Sequence, residues 1–235
     1  MIIALLCIFA QEKEHGKYER SNASCDGCYA SKDNGTLVYD SGKVVVSVTK
    51  RNILEGNHFY ILPKEHYVST VDLEDDVYEE ITKIKNAFIE LYSKQNKSIL
   101  FFEVNKNEKH MTIGGIPLET NAVTNSRRLL QNSFDLNAEE GASSSFFKDL
   151  SDIPGGLRRF LRPGISYTWF GFNNEKGFAY RLNDPEDFSD DFYYSTICAE
   201  IDDDFDDMQL RIKLTPDVVK NNRDKLRKEL EAALS

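Results

Sequence analysis

The sequence predicts an α+β protein, in which an antiparallel sheet with one long helix is followed by a smaller α+β module. In the first half, short apolar segments bounded by turn residues are typical of paired strands. Residues 73–91 repeat their apolar side chains at helical spacing. In the second half, two more apolar segments flank the polar turn 173–176, and a well-signalled helix follows. Strands and helices are therefore both expected in each half.

The first half contains five strand candidates and one long helix. Strands are predicted over residues 36–39, 43–49, 58–62, 99–104 and 110–117. The turn Asp40-Ser41-Gly42 makes the first two a hairpin, and Pro63 ends the third. The helix is predicted to begin at Asp72, because aspartate is a good N-cap and acidic residues fill the next turn. Its apolar stripe comprises Leu73, Val77, Ile81, Ile84, Phe88 and Leu91.

A polar segment separates the two halves. In it the apolar pairs Leu129-Leu130 and Phe146-Phe147 predict short helices, and Pro154-Gly155-Gly156 and Pro163-Gly164 mark the entry to the second half. Strands are predicted over residues 165–172 and 177–182, and helices over residues 188–199 and from Thr215, an N-cap before Pro216. We divide the chain into an N-terminal arm (1–22), a first domain (23–122), a connecting segment (123–164) and a second module (165–235).

Composition narrows the class of protein. The 235 residues are 40% hydrophobic and 29% charged, which is typical of a globular chain. The formal net charge of −10 argues against nucleic-acid binding through bulk electrostatics, although local basic clusters remain able to bind. Residues 1–10 (MIIALLCIFA) are apolar but lack the basic region and cleavage site of a signal peptide. We therefore expect no membrane span and an intracellular protein.

Four residues form a complete ligand set for zinc. Cys25 and Cys28 have the C-x2-C spacing, and His66 and His110 supply two imidazoles. Two thiolates and two neutral imidazoles balance the ion's charge and fill a tetrahedron, so such a site is structural. The spacing from the cysteines to the histidines is looser than in zinc fingers. The alternative is therefore a free cysteine pair with two unrelated histidines.

The order of these motifs resembles the histidine-triad fold and, more narrowly, the C-terminal region of the CwfJ family of spliceosome-associated, lariat-debranching-related proteins. The first half carries this likeness in the segment HFYILPKEH (58–66), in FEVN (102–105), and in His110 with Ile116-Pro117. The second half is similar to that family's second module in PGISY (163–167), GFA (177–179) and FYY (192–194). The resemblance implies a histidine-triad-like sheet with its helix, and it assigns zinc to Cys25, Cys28, His66 and His110.

The triad itself departs from the catalytic pattern. An active enzyme of this fold has His-x-His-x-His, whose middle histidine attacks phosphorus. We expect His110, Thr112 and Gly114 to share one strand face, so threonine and glycine stand at the second and third triad positions. Threonine cannot form the phosphoramidate intermediate. The sequence therefore predicts a non-catalytic protein, and the alternative is an active nucleotide hydrolase or transferase.

The resemblance also implies a role. It implies a nuclear module in pre-mRNA splicing and intron-lariat turnover, with spliceosomal proteins, the lariat-debranching enzyme and branched intron RNA as candidate partners. A scaffold without RNA contact remains open, since the chain is acidic. The candidates for phosphate or RNA contact are Lys109, Thr112, Gly114, Gly115, Arg158 and Arg159.

Overall fold

The computed structural model describes residues 25, 27–28, 35–106, 109–139, 147–202 and 204–234. Its strands are β1 (Leu37–Asp40), β2 (Val44–Val48), β3 (Phe59–Pro63), β4 (Lys97–Asn105), β5 (Ile113–Glu119), β6 (Phe147–Asp149), β7 (Tyr167–Phe172) and β8 (Phe178–Arg181). They form one antiparallel sheet in the order β1-β2-β3-β5-β4-β7-β8-β6. The predicted α+β class is confirmed.

Five helices accompany the sheet in these described ranges. They are α1 (Asp75–Ser93), α2 (Val123–Glu139), α3 (Gly156–Phe160), α4 (Phe192–Ile201) and α5 (Pro216–Leu234). Single 3₁₀ turns lie at Leu54–Gly56, Thr70–Asp72, Thr120–Ala122 and Asp207–Arg211. None of the described helices is both long and apolar enough to cross a membrane.

The two halves of the chain share the sheet. Strand β4 pairs with β5 on one side and with β7 on the other, from Leu100 opposite Phe172 to Asn105 opposite Tyr167. The C-terminal helix α5 also returns to the first half, where it packs on α1, β1 and β2. The predicted first domain and second module are thus joined through backbone hydrogen bonds and a returning helix.

Each face of the sheet has its own apolar core, because successive side chains of a strand point to opposite faces. On the first face, α1 and α5 cover side chains that include Phe59, Phe101 and Ile113. On the second face, α2 and α4 cover side chains that include Phe102 and Phe170. Neighbouring residues of β4 therefore serve different cores.

Three local predictions were wrong. Asp72 does not cap α1: it lies in a 3₁₀ turn and accepts a hydrogen bond from Ser69 Oγ, and Leu73 is extended, so the helix begins only at Asp75. The strand predicted from His110 begins at Ile113, because the preceding residues follow the loop after β3. Phe147 belongs to strand β6 rather than to a helix, since it packs on the Phe178 ring of the adjacent strand.

Several predictions concern residues outside the described ranges. These are the N-terminal arm (1–22), the apolar residues 1–10 within it, Phe146, and the small polar residues 141–145.

Candidate metal centre

The four predicted zinc ligands lie together at one end of the sheet. Strands β3 and β5 are antiparallel, with Ile61 opposite Ile113, so the chain after β3 runs beside the chain that leads into β5. This pairing brings His66 next to His110, and the Met111 amide donates to the Tyr67 carbonyl at 2.7 Å to hold the two loops together. Cys25 and Cys28 come from the segment before the sheet.

The distances suit a tetrahedral ion. One ligand atom from each of Cys25, Cys28, His66 and His110 lies within 4.8 Å of the others. Cys28 Sγ is 3.5 Å from His66 Nδ1 and 3.3 Å from His110 Nδ1. With zinc bonds of about 2.3 Å to sulfur and about 2.05 Å to nitrogen, a tetrahedron places these atoms about 3.6 Å apart. The donor set and its spacing therefore fit zinc.

The orientation and the protonation state of His110 suit a metal ligand. Its Nε2 lies 2.8 Å from the Pro63 carbonyl, and this contact directs Nδ1 toward Cys28 Sγ. Burial lowers the pKa of His110, and the nearby His66 lowers it further, so the ring stays neutral with a free lone pair. The carbonyl of Pro63 is a supporting group that the sequence pattern did not indicate.

Gly27 is a second feature that sequence reasoning missed. A Cβ atom at this position would lie 2.3 Å from His110 Cβ, so only glycine lets the cysteine segment approach the histidine ring. The glycine between the two cysteines, in the segment CDGC, was the sequence signal that could have indicated this close approach.

Within the described ranges, the triad positions are occupied by contacts of the protein itself. Thr112 donates its hydroxyl to the His110 carbonyl at 3.3 Å. Gly114 is buried in β5 between β3 and β4, and a Cβ there would lie 2.3 Å from Phe102 Cζ. Tyr193 of α4 stacks on that Phe102 ring, with centroids 4.5 Å apart. The space beside Gly114 is thus filled by aromatic side chains.

The other phosphate candidates are dispersed. Gly115 is buried in β5, where the Phe59 ring occupies its Cβ position. Lys109 forms an ion pair with Asp190, whose carboxylate also meets Lys106. Arg158 on α3 pairs with Asp75 and donates to the Leu73 carbonyl at the start of α1.

Arg159 follows Arg158 on α3 and is exposed. Lys109 therefore contacts the segment before α4, and Arg158 contacts the residues at the start of α1. The backbone of Gly114 and Gly115 lies within the sheet ladder.

Comparison with solved structures gives partial likenesses. A histidine triad nucleotide-binding protein from Sulfolobus tokodaii aligns over 88% of this chain and 93% of its own, with a TM-score of 0.41 and 11% identity. A zinc-bound histidine triad family protein from Mycobacterium smegmatis aligns over 42% of this chain and 78% of its own, with a TM-score of 0.35 and 15% identity.

Sequence comparison gives more extended matches. The chain is 23% identical to the CWF19-like protein 2 homolog of Caenorhabditis elegans over 195 residues, which covers 81% of this chain and 42% of the relative. It is 26% identical to CWF19-like protein 1 of Xenopus laevis over 176 residues, which covers 74% of this chain and 31% of the relative. The chain thus spans less than half the length of these relatives. The family model for proteins similar to the CwfJ C-terminal region matches residues 12–131, and the chain belongs to that family.

Proposed function

We propose that this chain is a non-catalytic, zinc-stabilised binding module that acts in pre-mRNA splicing and intron-lariat turnover in the nucleus. Membership of the CwfJ C-terminal family and the CWF19-like relatives support the splicing-related part of this proposal. The partners we propose are spliceosomal proteins, the lariat-debranching enzyme and branched intron RNA.

In this proposal zinc is structural. Cys25, Cys28, His66 and His110 hold the ion, which joins the N-terminal cysteine segment to the loops around β3 and β5. A filled tetrahedron leaves no position for a reactive water. The ion would contribute binding energy to folding, because its ligands come from three separate parts of the chain.

The observation that carries the non-catalytic proposal is the Phe102 ring against Gly114. A transferred phosphate needs room beside the triad strand, and here Phe102 and Tyr193 occupy that face. Thr112 lacks the imidazole that would attack phosphorus. The His110 lone pair would be committed to the metal. The competing function, a nucleotide hydrolase of the same fold, would need these groups to rearrange.

Lys109 is the residue we propose for RNA contact. It is exposed, and its ammonium meets Asp190 at 2.7 Å, an exposed pair that a phosphate could replace at little cost. Thr112, Arg158 and Arg159 remain part of the proposed phosphate-facing set.

The test is affinity purification of the tagged chain from nuclear extract, with ultraviolet crosslinking to RNA at stated salt. We expect enrichment of spliceosomal proteins, of the debranching enzyme and of branch-containing intron RNA. We expect the charge reversal Lys109→Glu to weaken the RNA crosslink, and Lys83→Glu on the exposed side of α1 serves as the matched control. Protein partners without any RNA crosslink would support a pure scaffold and contradict the RNA contact. No enrichment of splicing proteins would contradict the function as a whole.

A further inference from the structure

Two lysines that follow β4 meet the segment before α4. Lys106 and Lys109 are held close together, because the Lys109 amide donates to the Lys106 carbonyl at 3.2 Å. The Lys106 ammonium is 3.1 Å from Asp190 Oδ1, and the Lys109 ammonium is 2.7 Å from Asp190 Oδ2. Asp190 is the carboxylate of the described residues that lies within ion-pair distance of these lysines. One carboxylate therefore bridges two ammonium groups.

The side chain of Lys106 is buried, which is uncommon for a lysine. It is only 7% exposed, and its ammonium also donates to the Phe188 carbonyl. Phe188 itself is held in the core under α4 by ring contacts with Phe134 and Phe192. Burial and the Phe188 carbonyl therefore position the Lys106 ammonium independently of Asp190.

The Asp190 carboxylate, by contrast, is free to turn away. Its side chain is 54% exposed, and that of Lys109 is 55% exposed. Exposed ion pairs are weak, because water solvates both charges well when they separate. The segment that carries Asp190 stays anchored through Phe188 and through the ion pair of Arg51 with Asp191. Rotation of one side chain into solvent is therefore enough to release both lysines.

We propose that Lys106 and Lys109 together bind one phosphodiester group of RNA, and that Asp190 occupies this site when no RNA is bound. The inference rests on the proposed function, in which Lys109 contacts RNA, and it adds Lys106 as a second contact and Asp190 as an internal competitor. A phosphodiester has one negative charge and two free oxygen atoms, as a carboxylate has, so each oxygen accepts from one ammonium. RNA binds here only by displacing Asp190, which lowers its affinity for the original chain.

The test compares two variants of the zinc-loaded full chain that each remove one negative charge. Asp190→Asn removes the competing charge and keeps the size of the side chain. Asp187→Asn is the matched control, because Asp187 is an exposed residue of the same segment that forms no ion pair within the described ranges. Fluorescence anisotropy measures the dissociation constants of a labelled branched RNA and of a linear RNA of the same length, at fixed salt.

We expect Asp190→Asn to bind RNA about two- to fivefold more tightly than the original chain, which is the range expected from an exposed ion pair. Asp187→Asn should bind as the original chain does. Adding Lys109→Met or Lys106→Met to Asp190→Asn should remove the gain. Circular dichroism and zinc content check the folding of each variant. Lys109 is exposed, so Lys109→Met tests the site even if Lys106→Met does not fold.

Two results would overturn the site without touching the proposed function. The first is RNA binding by the original chain together with equal affinities of Asp190→Asn and Asp187→Asn. The second is a gain in Asp190→Asn that survives a folded lysine variant, because the released charge would then act elsewhere. Absence of RNA binding by the original chain and by every variant would instead contradict the RNA contact of the proposed function, and this site with it.

Discussion

At the scale of single residues, the candidate metal centre depends on how His110 is oriented. The Pro63 carbonyl meets one ring nitrogen, Cys28 Sγ lies 3.3 Å from the other, and Gly27 leaves room for the ring. The four candidate ligands could be identified from the sequence because thiol and imidazole are the ligand types of zinc, but their spacing left a free cysteine pair with two unrelated histidines open. Their supporting groups could not, since a backbone carbonyl and a missing Cβ leave no pattern in the sequence.

The first prediction concerns metal content. Purified protein should contain one zinc per chain, measured by elemental analysis, and Cys28→Ser should lose zinc and melt at a lower temperature. Cys198 is a buried thiol of the other core, so Cys198→Ser should keep its zinc whatever it does to stability. Near-zero zinc in the original chain, or equal zinc in both variants, would contradict the assignment.

The second prediction follows from Glu103. Burial raises its pKa from 4.5 to about 7 in the folded protein. Between these two pH values the folded chain keeps a proton that the unfolded chain has lost, so the contribution of Glu103 to the free energy of unfolding falls as pH rises. Glu103→Gln lacks this titration. Its stability relative to the original chain should therefore rise between pH 4.5 and 7.

The measurement is the difference in midpoint of urea unfolding between Glu103→Gln and the original chain, taken at several pH values. The measurements should be kept below pH 8, because Lys85, whose pKa burial lowers to about 8, interacts by charge with Glu103 and its contribution therefore does not cancel. The contributions of groups that titrate alike in both proteins cancel in this difference. One such group is the buried His58, whose pKa is lowered by burial to about 4. A difference that does not change with pH would show that Glu103 titrates normally.

At the scale of elements, strand β5 depends on two consecutive glycines. The rings of Phe102 and Phe59, from the strands on either side, occupy the Cβ positions of Gly114 and Gly115. Aromatic rings that cover strand glycines are a recognised way to fill such gaps. The sequence predicted the strand but offered no way to distinguish this packing from close approach to a phosphate.

The third prediction tests this packing. Gly114→Ala should reduce the free energy of unfolding by about 1–3 kcal/mol or more, because the new methyl group overlaps the Phe102 ring. In the double variant Gly114→Ala with Phe102→Leu, the loss should be smaller than the sum of the two single losses. The free energy of unfolding of all three variants is measured by chemical denaturation. Simple additivity would mean that Phe102 does not occupy this space.

The secondary structure was predicted best where local chemistry decides it. The β1–β2 hairpin and α5 follow from Asp40-Ser41-Gly42 and from Pro216, which act within a few residues. Asp72 has the chemistry of an N-cap, but the Ser69 hydroxyl and the buried Leu73 place it in a 3₁₀ turn. Tertiary contacts therefore override the local preference, and a single sequence does not contain them.

At the scale of the whole molecule, the pairing of β4 with β7 unites the two halves. No local signal predicts this pairing, since 61 residues separate the end of β4 at Asn105 from the start of β7 at Tyr167. The domain boundaries at residues 122 and 164 remain predictions from the sequence. The structure joins those segments through the central strands and through α5, which packs on β1.

The fourth prediction is that the halves fold as one unit. A protease site inserted within residues 141–145 should allow complete cleavage, and the two fragments should still elute together from a sizing column. They should also unfold in a single transition that coincides for fluorescence and circular dichroism. Fragments that separate under native conditions would show two independent domains.

The central proposal is that this chain uses a histidine-triad-like fold without its chemistry. The most direct test incubates the zinc-loaded chain with adenosine phosphoramidates and dinucleoside polyphosphates, beside an active histidine-triad hydrolase as positive control. We predict no turnover above the background of a Thr112→Ala preparation, because Thr112 cannot attack phosphorus and Phe102 fills the space beside Gly114. Turnover by the original chain that Thr112→Ala abolishes would contradict the claim and identify the protein as a nucleotide hydrolase.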